Sequence, residues 1–128
     1  MKRKGNKSDF TAERNAELRA AFFSQGVYST CDEVMKKTVR MPASRFWTDP
    51  ERARDVLSRI EKDPEAIAGM KPERQRMYSA LYERYKSIRR QCPGESKISC
   101  ATMAIYSGAP EFFLSPATAR SIIYNKCM

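Results

Sequence analysis

The chain repeats itself. Residues 30–57 align with residues 96–123 at a constant offset of 66, without a gap. Ala43, Phe46, Pro50, Ala53 and Arg54 meet identical residues at Ala109, Phe112, Pro116, Ala119 and Arg120. Five identities over 28 positions are few, but the apolar and capping positions match as well. Trp47 meets Phe113, Val39 meets Ile105, Val56 meets Ile122 and Leu57 meets Ile123; Thr30 falls on Ser96 and Asp49 on Ser115. Duplication of one supersecondary unit is the expectation, and it narrows the fold to two copies of that unit. The 128 residues leave room for one compact domain or two very small ones.

Each copy reads as helix, structured turn, helix. The first opens with the capping box Thr30-Cys31-Asp32-Glu33, and Val34, Met35, Thr38 and Val39 follow at helical spacing. Met41 precedes Pro42, which disfavours helix there and ends the segment. Asp49-Pro50 then supplies an N-cap and a first-turn proline for a helix with Ala53, Val56, Leu57 and Ile60 on one side. Ser115-Pro116 repeats that signal before Ala119, Ile122 and Ile123. A further helix precedes each pair. Residues 9–25 carry Leu18, Ala21, Phe22 and Gln25 on one face and stop at Gly26; residues 72–90 carry Met77, Leu81, Tyr85 and Ile88 and stop before Cys92-Pro93-Gly94. No stretch alternates with a period of two. The expected fold is all-α: about six helices in two tandem three-helix, helix-turn-helix-like units, at 9–62 and 72–127. A flexible basic arm at 1–8 and a connector at 63–71 complete the division.

Charge is distributed unevenly. The chain carries 24 Lys and Arg against 15 Asp and Glu, a net +9. Residues 1–7 hold +4 of this in Lys2, Arg3, Lys4 and Lys7, and residues 70–91 hold +5, with seven basic and two acidic side chains. Residues 8–69 sum to −1 and residues 92–128 to +1. The scaffold is close to neutral, and the surplus sits on one arm and one helix.

The composition argues against catalysis. With no histidine, the chain lacks His-based acid–base chemistry, Ser-His-Asp and Cys-His triads, and most zinc-finger spacings. Carboxylate pairs such as Asp32-Glu33 and Glu61/Asp63 read as helix caps and solvated ends. The four cysteines form no C-x-x-C pair, so reduced thiols without metal or cofactor are expected, with cytoplasm as the default compartment. MKRKGNKSDF lacks the apolar core of a secretory signal, and no apolar run approaches the ~18 residues needed to span a bilayer.

Basic and aromatic residues point to nucleic acid. In the 72–90 segment Arg74, Arg84, Lys86, Arg89 and Arg90 fall on or near the exposed faces, interleaved with Tyr78 and Tyr82; together they suit a surface that tracks phosphates and stacks on bases. Lys2, Arg3 and Lys4 suit an arm that orders on binding. Trp47 is a third stacking candidate, the alternative being core packing beside Phe46. Arg54 and Arg120 recur at equivalent positions as phosphate contacts or as ordinary surface arginines. If Ser44–Trp47 form the first turn of a recognition helix, Arg40 and Arg45 lie near the groove, where arginine grips guanine; the second copy has Tyr106 and Glu111 there.

The phrases MPASRFWTDPERARDVLSRI and APEFFLSPATARSIIYNK resemble those of small basic proteins carried by phages and mobile elements of gut Bacteroidetes, over most of the span from Asp9 to Tyr124. The resemblance implies a mobile-element setting and brings no catalytic residues. The expected function is non-enzymatic binding of DNA or RNA through the arm and the 72–90 segment. The alternative is an accessory subunit of a polymerase, reverse transcriptase, packaging motor or virion, acting through protein contacts, with homo-oligomer formation left open.

Overall fold

The structure, a computed structural model, describes residues 5–25 and 32–126. Six α-helices and one short 3-10 turn account for its regular structure, and no strand occurs among the described residues. In chain order the helices are α1 (Gly5–Ser24), α2 (Asp32–Val39), α3 (Pro50–Lys62), α4 (Pro72–Gln91), α5 (Lys97–Ile105) and α6 (Pro116–Lys126), with the 3-10 turn at Pro64–Ile67. Among the described residues no helix is long and apolar enough to cross a membrane. The chain is all-helical, as its periodicity predicts.

Local chemistry sets the helix starts. Asp49 accepts the Arg52 N–H at 3.2 Å, with Pro50 in the first turn of α3. Ser115 does the same for the Thr118 N–H at 3.1 Å, with Pro116 opening α6, and Ser96 caps α5 through the Ser99 N–H at 3.2 Å. In each case a side-chain oxygen satisfies an N–H that the helix leaves without a partner. α1 begins at Gly5, so residues 5–8 are helical rather than part of an arm. Residues 1–4, the Thr30 end of the capping box and Gly26 lie outside the described residues.

The compact units cut across the tandem division expected from the sequence. One unit comprises residues 1–43 and 110–128, and contains α1, α2 and α6. The other comprises residues 44–109, and contains α3, α4 and α5. Within the first unit α2 packs on α6, and α1 on both; within the second α5 packs on α3 and α4, which also touch each other. The first helix of each aligned pair therefore joins the second helix of the other pair.

The physical reason lies in the turns. Ten residues separate Val39 from Pro50, and none of them is helical. The segment buries Ala43, Phe46, Trp47 and Thr48 along its length, so it is a packed loop and not a tight helix-to-helix turn. Ser44–Trp47 do not open a recognition helix, and a helix-turn-helix needs the tight three- or four-residue turn that is missing here.

Each unit is fastened in the same way. In the first, the Phe112 N–H donates to the Val39 carbonyl at 2.9 Å, and in the second the Phe46 N–H donates to the Ile105 carbonyl at 2.9 Å. These carbonyls end α2 and α5, where a helix has no internal donor to offer. The two rings are fully buried beside them, with Leu18, Met35, Val39 and Ile123 in the first core and Leu57, Leu81, Tyr85 and Ile105 in the second. Phe112→Ala and Phe46→Ala are each expected to cost about 3–5 kcal/mol in urea unfolding, since each leaves a large cavity in its own core.

Candidate nucleic-acid interface

α4 carries the basic segment, and packing sorts its residues. Met77, Tyr78, Leu81 and Tyr85 are buried. Arg74 and Arg90 are exposed, whereas Arg84, Lys86 and Arg89 are half-buried along the flanks. Arg84 is spent on architecture: one guanidinium nitrogen donates to the Gly108 carbonyl at 2.6 Å and the Ser107 hydroxyl at 2.6 Å, and the group lies 5.7 Å from the Phe46 ring centroid. It thereby holds the turn after α5, where Gly108 sits at φ 92°, a conformation that favours glycine.

Lys86 and Arg89 keep their charge at the surface. The Lys86 ammonium lies 4.9 Å from the Tyr82 ring centroid and pairs with Glu83 at 3.3 Å; the Arg89 guanidinium lies 5.7 Å from that of Tyr85. The rings position both cations, and of the two only Lys86 also has a carboxylate beside it among the described residues. Tyr82 is half-buried and stacks near Tyr85 with ring centroids 6.5 Å apart. Of the three stacking candidates it is the only one that is not buried. Burial pushes the Tyr85 phenol above its ordinary value, with Arg89 drawing it part of the way back.

Three expected contact residues belong to the core. Tyr78 is 1% exposed, and its hydroxyl shares a 2.8 Å hydrogen bond with that of Thr48. Trp47 is 7% exposed and closes over the loop. Arg45 is 6% exposed and donates to the Phe46 carbonyl at 3.0 Å, the Thr48 carbonyl at 2.8 Å and the Tyr106 hydroxyl at 3.0 Å. Its guanidinium lies 4.6 Å from the Tyr106 ring centroid and 5.5 Å from that of Trp47. The five donors of a guanidinium match this set of carbonyls and rings, so Arg45 organises the loop and faces no groove.

The remaining candidates lie elsewhere. Arg40 is exposed just past the end of α2. Arg54 pairs with Asp55 at 3.3 Å, and Arg120 with Asp32 at 2.6 Å, both partly exposed. Such pairs contribute about 0–1 kcal/mol. Lys2, Arg3 and Lys4 lie outside the described residues. Sequence reasoning overlooked Lys36 and Lys37, exposed on α2, because the carboxylates of residues 8–69 hide them in a segment total. It also placed no weight on Met103, 39% exposed on α5, or on Tyr106, 56% exposed just past its end. Beside them an open groove of about 440 Å³ is lined by Cys92, Glu95, Ile98, Ser99, Thr102 and Met103. Cys92 and Cys100 are free thiols, and no cluster among the described residues could hold a metal ion.

Two outcomes follow from this geometry. Arg45→Met should cost about 1–3 kcal/mol in thermal or urea unfolding, because the Thr48 carbonyl loses the guanidinium donor and the Phe46 carbonyl keeps only the Thr48 N–H. Tyr85 should make stability pH-dependent at the alkaline end. A phenol raised on folding contributes fully below its unfolded value of 10.0, and its contribution is lost as pH rises through the folded value. Tyr85→Phe should therefore fold at neutral pH and show a shallower loss of stability above about pH 10.

No family model matches the chain, and no curated protein or solved structure matches it either.

Proposed function

We propose that the chain binds nucleic acid through its phosphate backbone, as a non-enzymatic protein of a phage or mobile element. The observation that carries this reading is the outer surface of α4. Arg74 and Arg90 are exposed in its first and last turns, and Lys86 and Arg89 are held half-exposed over tyrosine rings. Tyr82, half-buried under the Lys86 ammonium, is the aromatic residue that would meet a base. The wider field favours the same ligand. The unit of residues 44–109 holds thirteen basic and nine acidic side chains, a net +4, and the remainder of the chain holds eleven and six, a net +5. Neither unit therefore opposes the approach of a polyanion. The mobile-element setting rests on the resemblance of the two sequence phrases alone.

A second reading is favoured by Met103 and Tyr106. Exposed apolar side chains beside a groove suit a protein partner, which makes an accessory role in a larger assembly the alternative.

A mobility shift over a range of salt tests the first reading. The wild-type chain should bind DNA or RNA with a steep salt dependence, and Arg74→Glu/Arg90→Glu should reduce the slope of log K against log salt by about 2 for duplex DNA. Arg84 is left intact because its loss would disturb the turn at Gly108. Binding unaltered by these reversals would remove α4 from the interface. A stable oligomer in sedimentation with no measurable nucleic-acid affinity would favour the accessory role.

A further inference from the structure

We infer that α2 presents a second, separate anion-binding face, formed by Lys36, Lys37 and Arg40, that grips the phosphodiester backbone. The inference rests on the nucleic-acid reading above and deepens it.

Packing fixes the orientation of α2. Met35, Thr38 and Val39 are buried, and the Thr38 hydroxyl donates to the Val34 carbonyl at 2.7 Å while accepting the Gln25 amide at 2.7 Å. The Arg40 N–H returns to the Lys37 carbonyl at 3.2 Å, so Arg40 continues the helical surface past the last turn. At 100° per residue, Lys36, Arg40 and Lys37 fall within one arc on the side opposite the buried stripe. All three are exposed, and among the described residues none has a carboxylate partner.

Two carboxylates lie on the same helix. Asp32 is held by Arg120 of α6 at 2.6 Å, which offsets its charge. Glu33 is exposed near the lysines and offsets one cation. The face remains positive.

The aligned helix α5 serves as an internal comparison. It ends in the same kind of loop bond and buries Cys100, Ala101, Ala104 and Ile105 as α2 buries its own stripe. Yet the positions of Lys36, Lys37 and Arg40 are there Thr102, Met103 and Tyr106. This helix therefore packs without any cation on its outer face, and the three on α2 are not a requirement of the scaffold.

The chemistry selects among polyanions. A protein interface is usually anchored by a buried apolar or aromatic side chain, and this face exposes only charged ones. A phosphate backbone needs nothing more than positioned cations, and two lysines on flexible stems supply point charges that can meet successive phosphates. The contrast with Met103 and Tyr106 also separates the roles of the two helices. α2 suits a backbone, and α5 a protein.

The test uses the full chain and a labelled DNA duplex of about 30 base pairs, with affinity measured across salt concentrations. Lys36→Gln/Lys37→Gln/Arg40→Gln should lower the magnitude of the salt slope by about 2 to 3, and the triple glutamate variant should weaken binding further. Because all three side chains are exposed, far-UV circular dichroism and thermal melting should match wild type. An unchanged slope in the glutamine variant, alongside a reduced slope in Arg74→Glu/Arg90→Glu, overturns the α2 site and leaves the nucleic-acid reading standing. A wild-type chain that binds no nucleic acid overturns that reading first. Displacement of the duplex by polyglutamate at lower charge concentration than by unlabelled DNA would overturn the choice of phosphate over an acidic protein.

Discussion

Two backbone hydrogen bonds hold the loops of this protein where the helices need them. Phe46 donates to the carbonyl that ends α5, and Phe112 donates to the carbonyl that ends α2. Each bond satisfies an acceptor that would otherwise be lost on burial, and each delivers a large ring into a core. The loops then lead into α3 and α6, which Asp49 and Ser115 cap three residues after Phe46 and Phe112. Helix entry, core filling and capping in both units depend on this one arrangement. The copies realise it differently in detail. Phe113 adopts φ 57° where Trp47 has no such conformation, and Gly108 at φ 92° stands at the position of Pro42.

The same loops consume part of the positive charge. Arg45 and Arg84 read from sequence as candidates for a ligand, yet both are committed to loop carbonyls and aromatic rings. An arginine in such a place supports architecture, because its planar fork satisfies several acceptors at once. Exposed cations such as Arg74 and Arg90 on α4, and Lys36, Lys37 and Arg40 on and just past α2, carry no such structural duty. Lys86 and Arg89 fall between the two classes, steadied by tyrosines while still reaching solvent. Net charge overstates the available surface when some of the cations lie inside the fold.

Helices α3, α4, α5 and α6 lie close to where proline, capping residues and apolar stripes put them, because these signals act over one or two turns. Asp49-Pro50 needs only Arg52 to complete its cap, and α4 needs only Pro72 and its apolar spacing. The candidate site was less legible. Tyr78 and Tyr82 sit four residues apart and look alike, but a small rotation about α4 places one against Thr48 and leaves the other half-exposed. Arg45 was illegible for a different reason: its partners Phe46 and Thr48 are local, but Tyr106 lies sixty-one residues away. Lys36 and Lys37 were visible as residues and hidden by averaging.

The amino-acid sequence alone determined an all-helical chain and the limits of most helices. Each of these follows from interactions among near neighbours. Only the tertiary structure decided which helices share a core. The stripes of α3 and α6 are nearly equivalent, Ala53, Val56 and Leu57 matching Ala119, Ile122 and Ile123, so either could cover α2. Apolar burial is non-directional and does not choose between equal partners. The choice went with the loops: the Phe46 ring and N–H belong to the unit of α3 and α5, and the Phe112 ring and N–H to the unit of α2 and α6.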